Sequence, residues 1–323
     1  MIRRRFLANA LGLAAFAFGA GPTLAQSPDA NYPSQMVRIV VPFSAGSQTD
    51  LLARVIAEKL GERWKQQVIV ENRPGIAGVA SVASGPADGY TLMLTSNGHT
   101  VIKAVNNNVN FDPIKDFAPI GQVASTPSIL VVPPEGPAKT LKDLIAAAKE
   151  KPGALNYSSA GLGSSTGLAA LQFRQVAGID LAHVPYRGLP EAQTAVLRSD
   201  AAMGFTFFNV GGDLIRSGKM RALAVTGNKR MSQLPDVPTF AEAGLPEYTY
   251  DAWFGMLAPA AVPKAIIAKV SQDVAQVVQS PDVKARLEPQ GVELISSTPE
   301  AFAAVLQSDA ERYGKLLQSQ KSN

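Results

Sequence analysis

Short β-branched runs alternate with amphipathic helical stretches along this chain, and no other feature restricts its fold as strongly. Val37-Arg38-Ile39-Val40-Val41, stopped by Pro42, reads as a buried strand. Leu51, Leu52, Val55, Ile56 and Leu60 then share one helical face, with Glu58, Lys59 and Glu62 off it, which predicts a helix from about Leu51 to Trp64. Thr49 or Asp50 can cap its start. QQVIVEN is the next strand, Ile76 to Ser84 a helix of small residues, and TLMLTSN a third strand. This β-α-β-α-β order predicts an α/β fold with a mostly parallel sheet and helices on both faces.

The pattern repeats with other content. SILVVPP, LNYSSA, LAHVPY, MGFTFF and RALAVT read as strands, separated by helices at Leu141–Lys149, Leu168–Val176 and near Glu191–Arg198. After WFGMLAP the chain reads as helical to its end, with Val270, Val274, Val277 and Val278 on one face. The 323 residues allow about two domains. Two β/α halves and a helical tail predict two lobes, 26–126 plus 253–323 and 127–252. The crossings fall near Ser125–Pro127 and Asp251–Trp253. Neither is Gly/Ser-rich, so they read as hinge strands and not as a flexible linker.

Residues 1–25 read as an address. Arg3, Arg4 and Arg5 precede an apolar stretch from Phe6 to Ala20, then Gly21-Pro22 and the small-residue pattern Thr23-Leu24-Ala25. That is the order of a secretory signal peptide, with cleavage after about Ala25 and a periplasmic mature protein. The stretch is shorter than the roughly 20 residues a membrane anchor needs. Arg3-Arg4-Arg5-Phe6-Leu7 also fits a twin-arginine signal, and the choice between that route and the general one stays open.

Composition removes several function classes. With the three leader arginines taken from the 30 basic residues, 27 face 26 acidic ones, which is not a nucleic-acid footprint. There is no Cys and there are two His, so neither a thiolate site nor a multi-His metal site is expected. No G-x-S-x-G elbow is present, His183 reads as a packed strand histidine, and one further His makes no triad. No catalytic residue, metal or cofactor is therefore assigned. Gly161 to Gly167, GLGSSTG, follows a strand and opens a helix, but its spacing is one residue too long for a dinucleotide fingerprint and it has no Walker lysine. An exported nucleotide-dependent enzyme is the competing reading.

Three polar loops instead invite a ligand. Ser44-Ala45-Gly46-Ser47-Gln48-Thr49-Asp50, Ser96-Asn97-Gly98 and Gly161–Gly167 each follow a strand, where ligands bind in open α/β sheets. Free N–H groups and the helix dipole at such places favour a carboxylate or phosphate. With few charges in the loops, one carboxylate held by neutral donors is expected.

YPSQMVRIVVPFSAGSQTD, VIVENRPGIAG, DGYTLM, LNYSSAGLGSS, HVPYRG, GKMRALAVTG, LPDVPTFAEAGLP and WFGMLAPAAVP, in this order, resemble the signature segments of the Bug family. These are periplasmic substrate-binding proteins of tripartite tricarboxylate transporters. The resemblance covers essentially the whole chain after the leader. It implies the two-lobed type II periplasmic-binding-protein fold, closing on a small organic acid like a Venus flytrap. It also implies delivery to membrane permease subunits by a monomer, with no nucleic-acid partner; an orphan receptor serving signalling differs only in partner. Carried over, the ligand positions are Phe43, Ser44, Ala45, Gly46, Ser47, Gln48, Thr49 and Asp50 on one lobe. Leu162, Gly163, Ser164, Ser165 and Thr166 face them from the other, with Ser96, Asn97, Tyr186 and Thr206 flanking. The chain departs from the family pattern at Ser47, where Gly is usual, at Gly167, where His is usual, and at Ala202 and Thr206, where Asp is frequent. Phe205, Phe207 and Phe208 around Thr206 read as core residues.

Overall fold

In the computed structural model, residues 31–106 and 108–321 are described, with side chains to residue 318; the signal-peptide reading falls outside them. Two sheets are built from the alternating elements. The first contains β1 (Val37–Val41), β2 (Val68–Asn72), β3 (Thr91–Ser96), β4 (Phe117–Thr126), β10 (Ala252–Pro259) and β11 (Glu293–Leu294), in the order β11-β4-β10-β3-β1-β2. The second contains β5 (Ile129–Val132), β6 (Asn156–Ser159), β7 (Ala182–Pro185), β8 (Met203–Thr206) and β9 (Arg221–Val225), ordered β7-β6-β8-β5-β9.

Both sheets are mixed, which corrects the expectation of mostly parallel pairing. β1 runs parallel to β2 and β3, and β6 parallel to β7 and β8. β10 lies antiparallel between β3 and β4, and β5 antiparallel between β8 and β9. The reason is connectivity. β4 ends at Thr126 in the first sheet and β5 starts at Ile129 in the second, while β10 returns from the second to the first. Strands that leave or re-enter a sheet need not obey the right-handed parallel crossover that governs β-α-β units. β4 itself is invisible to propensity because it contains Pro119 and Gly121. A Cβ on Gly121 would press on the carbonyl of Ser297, so the small residue lets the chain before the last helix lie against the strand.

The helices start where polar caps stand. α1 (Gln48–Trp64) begins three residues before its apolar repeat, because the Ser47 hydroxyl accepts the Asp50 N–H at 3.2 Å. Its buried stripe is Leu52, Val55, Ile56 and Leu60. α2 (Ile76–Ala83) and the short α3 (Ile102–Val105) complete this half, and α4 (Leu141–Glu150) carries a full capping box between Thr140 and Asp143. α5 (Ser165–Ala177) is capped by Ser164, which accepts the Gly167 N–H at 3.1 Å, and ends on Gly178 in the left-handed region. α6 (Leu189–Leu197) and α7 (Phe208–Arg216) follow β7 and β8. α7 occupies sequence that reads as strand, since β8 stops at Thr206 and Phe208 already belongs to the helix.

α8 (Lys264–Gln279), α9 (Pro281–Leu287) and α10 (Pro299–Lys321) cover the first sheet's side of the molecule, with the short β11 interrupting the helical tail. Phe302 of α10 sits directly over Gly255, whose missing side chain makes the room. Asp273 of α8 ties the end of α1 by accepting from Arg63 Nε at 2.6 Å, Trp64 Nε1 at 2.7 Å and Lys269 Nζ at 3.0 Å. Three donors, two of them cationic, offset the cost of burying this carboxylate.

Candidate functional site

The two sheets meet where their helices begin. β1 leads through Pro42–Ala45 to Gly46, whose φ of 78° turns the chain so that Ser47 can cap α1. β6 leads through Ala160 to Gly161, with φ of 86°, and Ser164 then caps α5 while its hydroxyl donates to the Gly161 carbonyl at 2.6 Å. Both helix starts open onto a narrow cavity of about 20 Å³, room for roughly one water. Among the expected site residues, Phe43, Ser47, Gln48, Thr49, Ser96, Ser164, Ser165 and Thr166 line it. α1 and α5 thus point their unpaired N–H groups and positive dipole ends into one space. Among the described residues, no Lys or Arg lines it.

Gln48 is the informative member. Its side chain is 1% exposed, and neither its Oε1 nor its Nε2 has a hydrogen-bond partner in the protein. A buried amide with both atoms unpaired costs a few kcal/mol. Its neighbours Ser47 and Asp50 at the α1 start are both hydrogen-bonded, so the orphan stands out beside them.

Asp50 belongs to that background. Its Oδ2 accepts from Gly46 N–H at 2.9 Å and Arg54 Nε at 3.0 Å, and its Oδ1 from Asn72 Nδ2 at 3.0 Å and an Arg54 terminal nitrogen at 3.0 Å. Burial raises its pKa, but the hydrogen bonds from Arg54, Gly46 and Asn72 outweigh it and hold the carboxyl below its ordinary value. The Asp50 carboxylate therefore braces the loop and the first turn of α1.

Asn97 is fully buried in a three-part clasp between the two halves. Ser165 Oγ donates to Asn97 Oδ1 at 2.6 Å, Asn97 Nδ2 donates to the Tyr250 hydroxyl at 2.8 Å, and that hydroxyl donates to the Ser165 carbonyl at 2.6 Å. Beside it a Cβ on Gly98 would collide with the backbone of Gly163 and Ser164. A second close approach joins Ser44 to Gly188, the residue capping α6. Gly98 therefore lets the halves touch backbone to backbone, and Gly188 leaves room for the Ser44 side chain.

The other expected positions lie elsewhere. Ala45 and Gly46 are exposed. Leu162, Gly163 and Tyr186 line a larger neighbouring chamber. Thr206 is buried in the second half, where its hydroxyl donates to Gln193 Oε1 at 2.5 Å, away from the cavity. Sequence reasoning missed Ala160, Leu189, Phe207 and Phe254, which complete the cavity wall. Phe207 and Phe254 approach edge-to-face across the halves at 5.6 Å. Phe207 had one available signal: it follows a strand and precedes a helix, the same position as the polar loops.

Both histidines are packing residues. His99 is fully buried, bonds the Pro113 carbonyl through Nε2 at 2.7 Å, and stands edge-on to Phe117. His183 stacks on Tyr157 at 4.7 Å and meets Ser159 Oγ at 2.8 Å. Burial lowers each pKa to about 4, so both are neutral at pH 7. Among the described residues, no three His, Cys, Asp or Glu side chains gather as a metal site would require.

The chain is similar to known proteins in sequence and in fold. A family model described as a tripartite tricarboxylate transporter family receptor matches residues 52–321. The UPF0065 protein in the tcbD-tcbE intergenic region of Pseudomonas sp. strain P51 is 36% identical, covering 99% of this chain and 95% of its own length. Protein BugT of Bordetella pertussis is 31% identical over 87% of this chain and 88% of its own. Among solved structures, Rhodopseudomonas palustris Rpa4515 with adipate superposes with a TM-score of 0.83 at 31% identity, covering 89% of this chain and 97% of that one. MatC from the same organism, with bound malate, gives 0.83 at 28% identity, covering 88% and 100%. Matched by the family model along most of its length and by relatives above 30% identity, this chain belongs to the receptor family of tripartite tricarboxylate transporters.

Proposed function

We propose that this solute receptor is exported, binds a small carboxylate between two lobes, and passes it to membrane permease subunits without chemical turnover. The lobes are residues 26–126 with 253–323, and 127–252, hinged at Ser125–Pro127 and Asp251–Trp253. The orphaned amide of Gln48 carries the reading: it is a buried donor and acceptor, set beside two helix N-termini, awaiting a polar partner. A carboxylate supplies acceptors for Gln48 Nε2 and for the N–H groups at the starts of α1 and α5. The malate and adipate held by two relatives support that class. Neither helix start encloses a ligand alone, so binding requires closure about the crossings. The glycine contacts at Gly98 and Gly188 set how far the lobes close.

A thermal-shift screen of organic acids on the mature protein tests this. Ligand at 100 times its Kd adds about 2.7 kcal/mol, and at roughly 2–4 °C per kcal/mol the melting temperature rises by about 5–10 °C. At least one carboxylate is expected to do so. If none does, and a hydrolase activity is found instead, the reading fails.

A further inference from the structure

The polar cavity does not stand alone. It shares Phe43 and Ala160 with a chamber of about 630 Å³ between the same two halves of the molecule. That is well within the size of small-molecule sites and far larger than the polar cavity beside it. Its walls are mostly apolar: Pro42 and Pro74, Ile76 and Val79 of α2, Ile102 from below, and Leu162 from the second half. Two prolines and branched aliphatics form flat, rigid surfaces, the kind that pack a ring better than a hydrated chain.

Two polar features mark this chamber. Thr95, on β3, is fully buried, and its hydroxyl has no hydrogen-bond partner in the protein. It lines the chamber, so an orphan hydroxyl sits at a mostly apolar wall. Among the described residues Arg187 is the only charged one that lines it, and His183, which also lines it, is neutral because burial lowers its pKa to about 4. Among the described residues, no carboxylate lines the chamber to repel an anion.

The geometry points to a ring-bearing monocarboxylate as the ligand class, its acid group at the starts of α1 and α5, its ring in the chamber, and a ring hydroxyl at Thr95. This rests on the carboxylate reading of the polar cavity and adds what lies beyond the acid group. A compact hydroxy-diacid would leave the apolar chamber to water, and its second charge could meet only Arg187, which is exposed.

Isothermal titration of the dialysed mature protein tests it, with benzoate, 3- and 4-hydroxybenzoate and cyclohexanecarboxylate compared with malate and adipate. The ring acids are expected to bind at least tenfold tighter than malate, and a hydroxybenzoate tighter than benzoate. Thr95→Val, which removes only the unpaired hydroxyl, should weaken the hydroxybenzoate about three- to tenfold, leave benzoate unchanged, and not lower the melting temperature. Ile76→Asp, which sets a charge in the apolar wall, should weaken every ring acid. Malate or adipate binding as tightly as the ring acids, or more tightly, overturns the ring assignment and leaves the carboxylate reading standing. Binding by no acid at all overturns both.

Discussion

Replacing Gln48 by Met should make the protein more stable and a worse receptor. The side chain is 1% exposed with both amide atoms unpaired, and Met keeps its length while removing the polar atoms. An unsatisfied buried polar atom costs about 1–3 kcal/mol. Relieving even one of the two would raise the unliganded melting temperature by roughly 2–12 °C at about 2–4 °C per kcal/mol. The bound state loses instead. The hydrogen bond that Gln48 Nε2 donates to the charged acid group is worth about 1.5–3 kcal/mol, a loss of roughly ten- to 150-fold in affinity. Circular-dichroism melts without ligand and calorimetric titration with the acid found by screening give the two numbers on one preparation. Opposite signs are the signature of a group kept for binding at the expense of folding. A lower melting temperature with unchanged affinity would refute the argument and make Gln48 a core residue satisfied by ordered water.

Other outcomes follow from the same geometry. Gly98→Ala places a Cβ into the backbone of Gly163 and Ser164, so it should hold the lobes apart and cost at least tenfold in affinity; small-angle scattering with saturating ligand should show a larger radius than the wild type, and an equal radius would contradict the closure contact. Asp50→Ala removes the brace on Gly46, Arg54 and Asn72, and should lower stability by about 1–2 kcal/mol; lost affinity with an unchanged melting temperature would make Asp50 a ligand contact instead. His99, with a folded pKa of about 4 against about 6.5 when unfolded, takes up a proton on unfolding between those values. Stability is therefore expected to fall as pH drops from 6.5 toward 4, by up to about 3 kcal/mol from this residue, with a shallower slope in His99→Gln; urea midpoints at pH 7.5 and 4.5 measure it, and identical slopes would count against the burial argument.

Much of this architecture is readable from the chain because its signals are local. The strand-helix alternation locates most elements, and the polar loops after β1 and β6 contain the caps that start α1 and α5. The helices begin three residues earlier than their apolar repeats because Ser47 and Ser164, polar residues with no periodic signature, set the start. What is missed depends on distant parts of the chain. β4 owes its existence to pairing with β10, more than a hundred residues away, and not to its own Pro- and Gly-containing sequence. The Asn97–Ser165–Tyr250 clasp joins three separate segments. Phe207 reads as core because period-two alternation is assumed to run through it, whereas the strand ends at Thr206 and the next residue caps a helix over the cavity. Thr206 likewise turns toward Gln193 of α6, a partner that no spacing rule indicates.

A crystal structure of the mature protein with a bound organic acid tests the two-sided grip most directly. The account predicts acid oxygens within hydrogen-bond reach of Gln48 or the α1 start on one side, and of the α5 start at Ser165 and Thr166 on the other. A ligand that touches one lobe alone, or that lies in the groove between Thr226 and Ile295 behind the crossings, would contradict it.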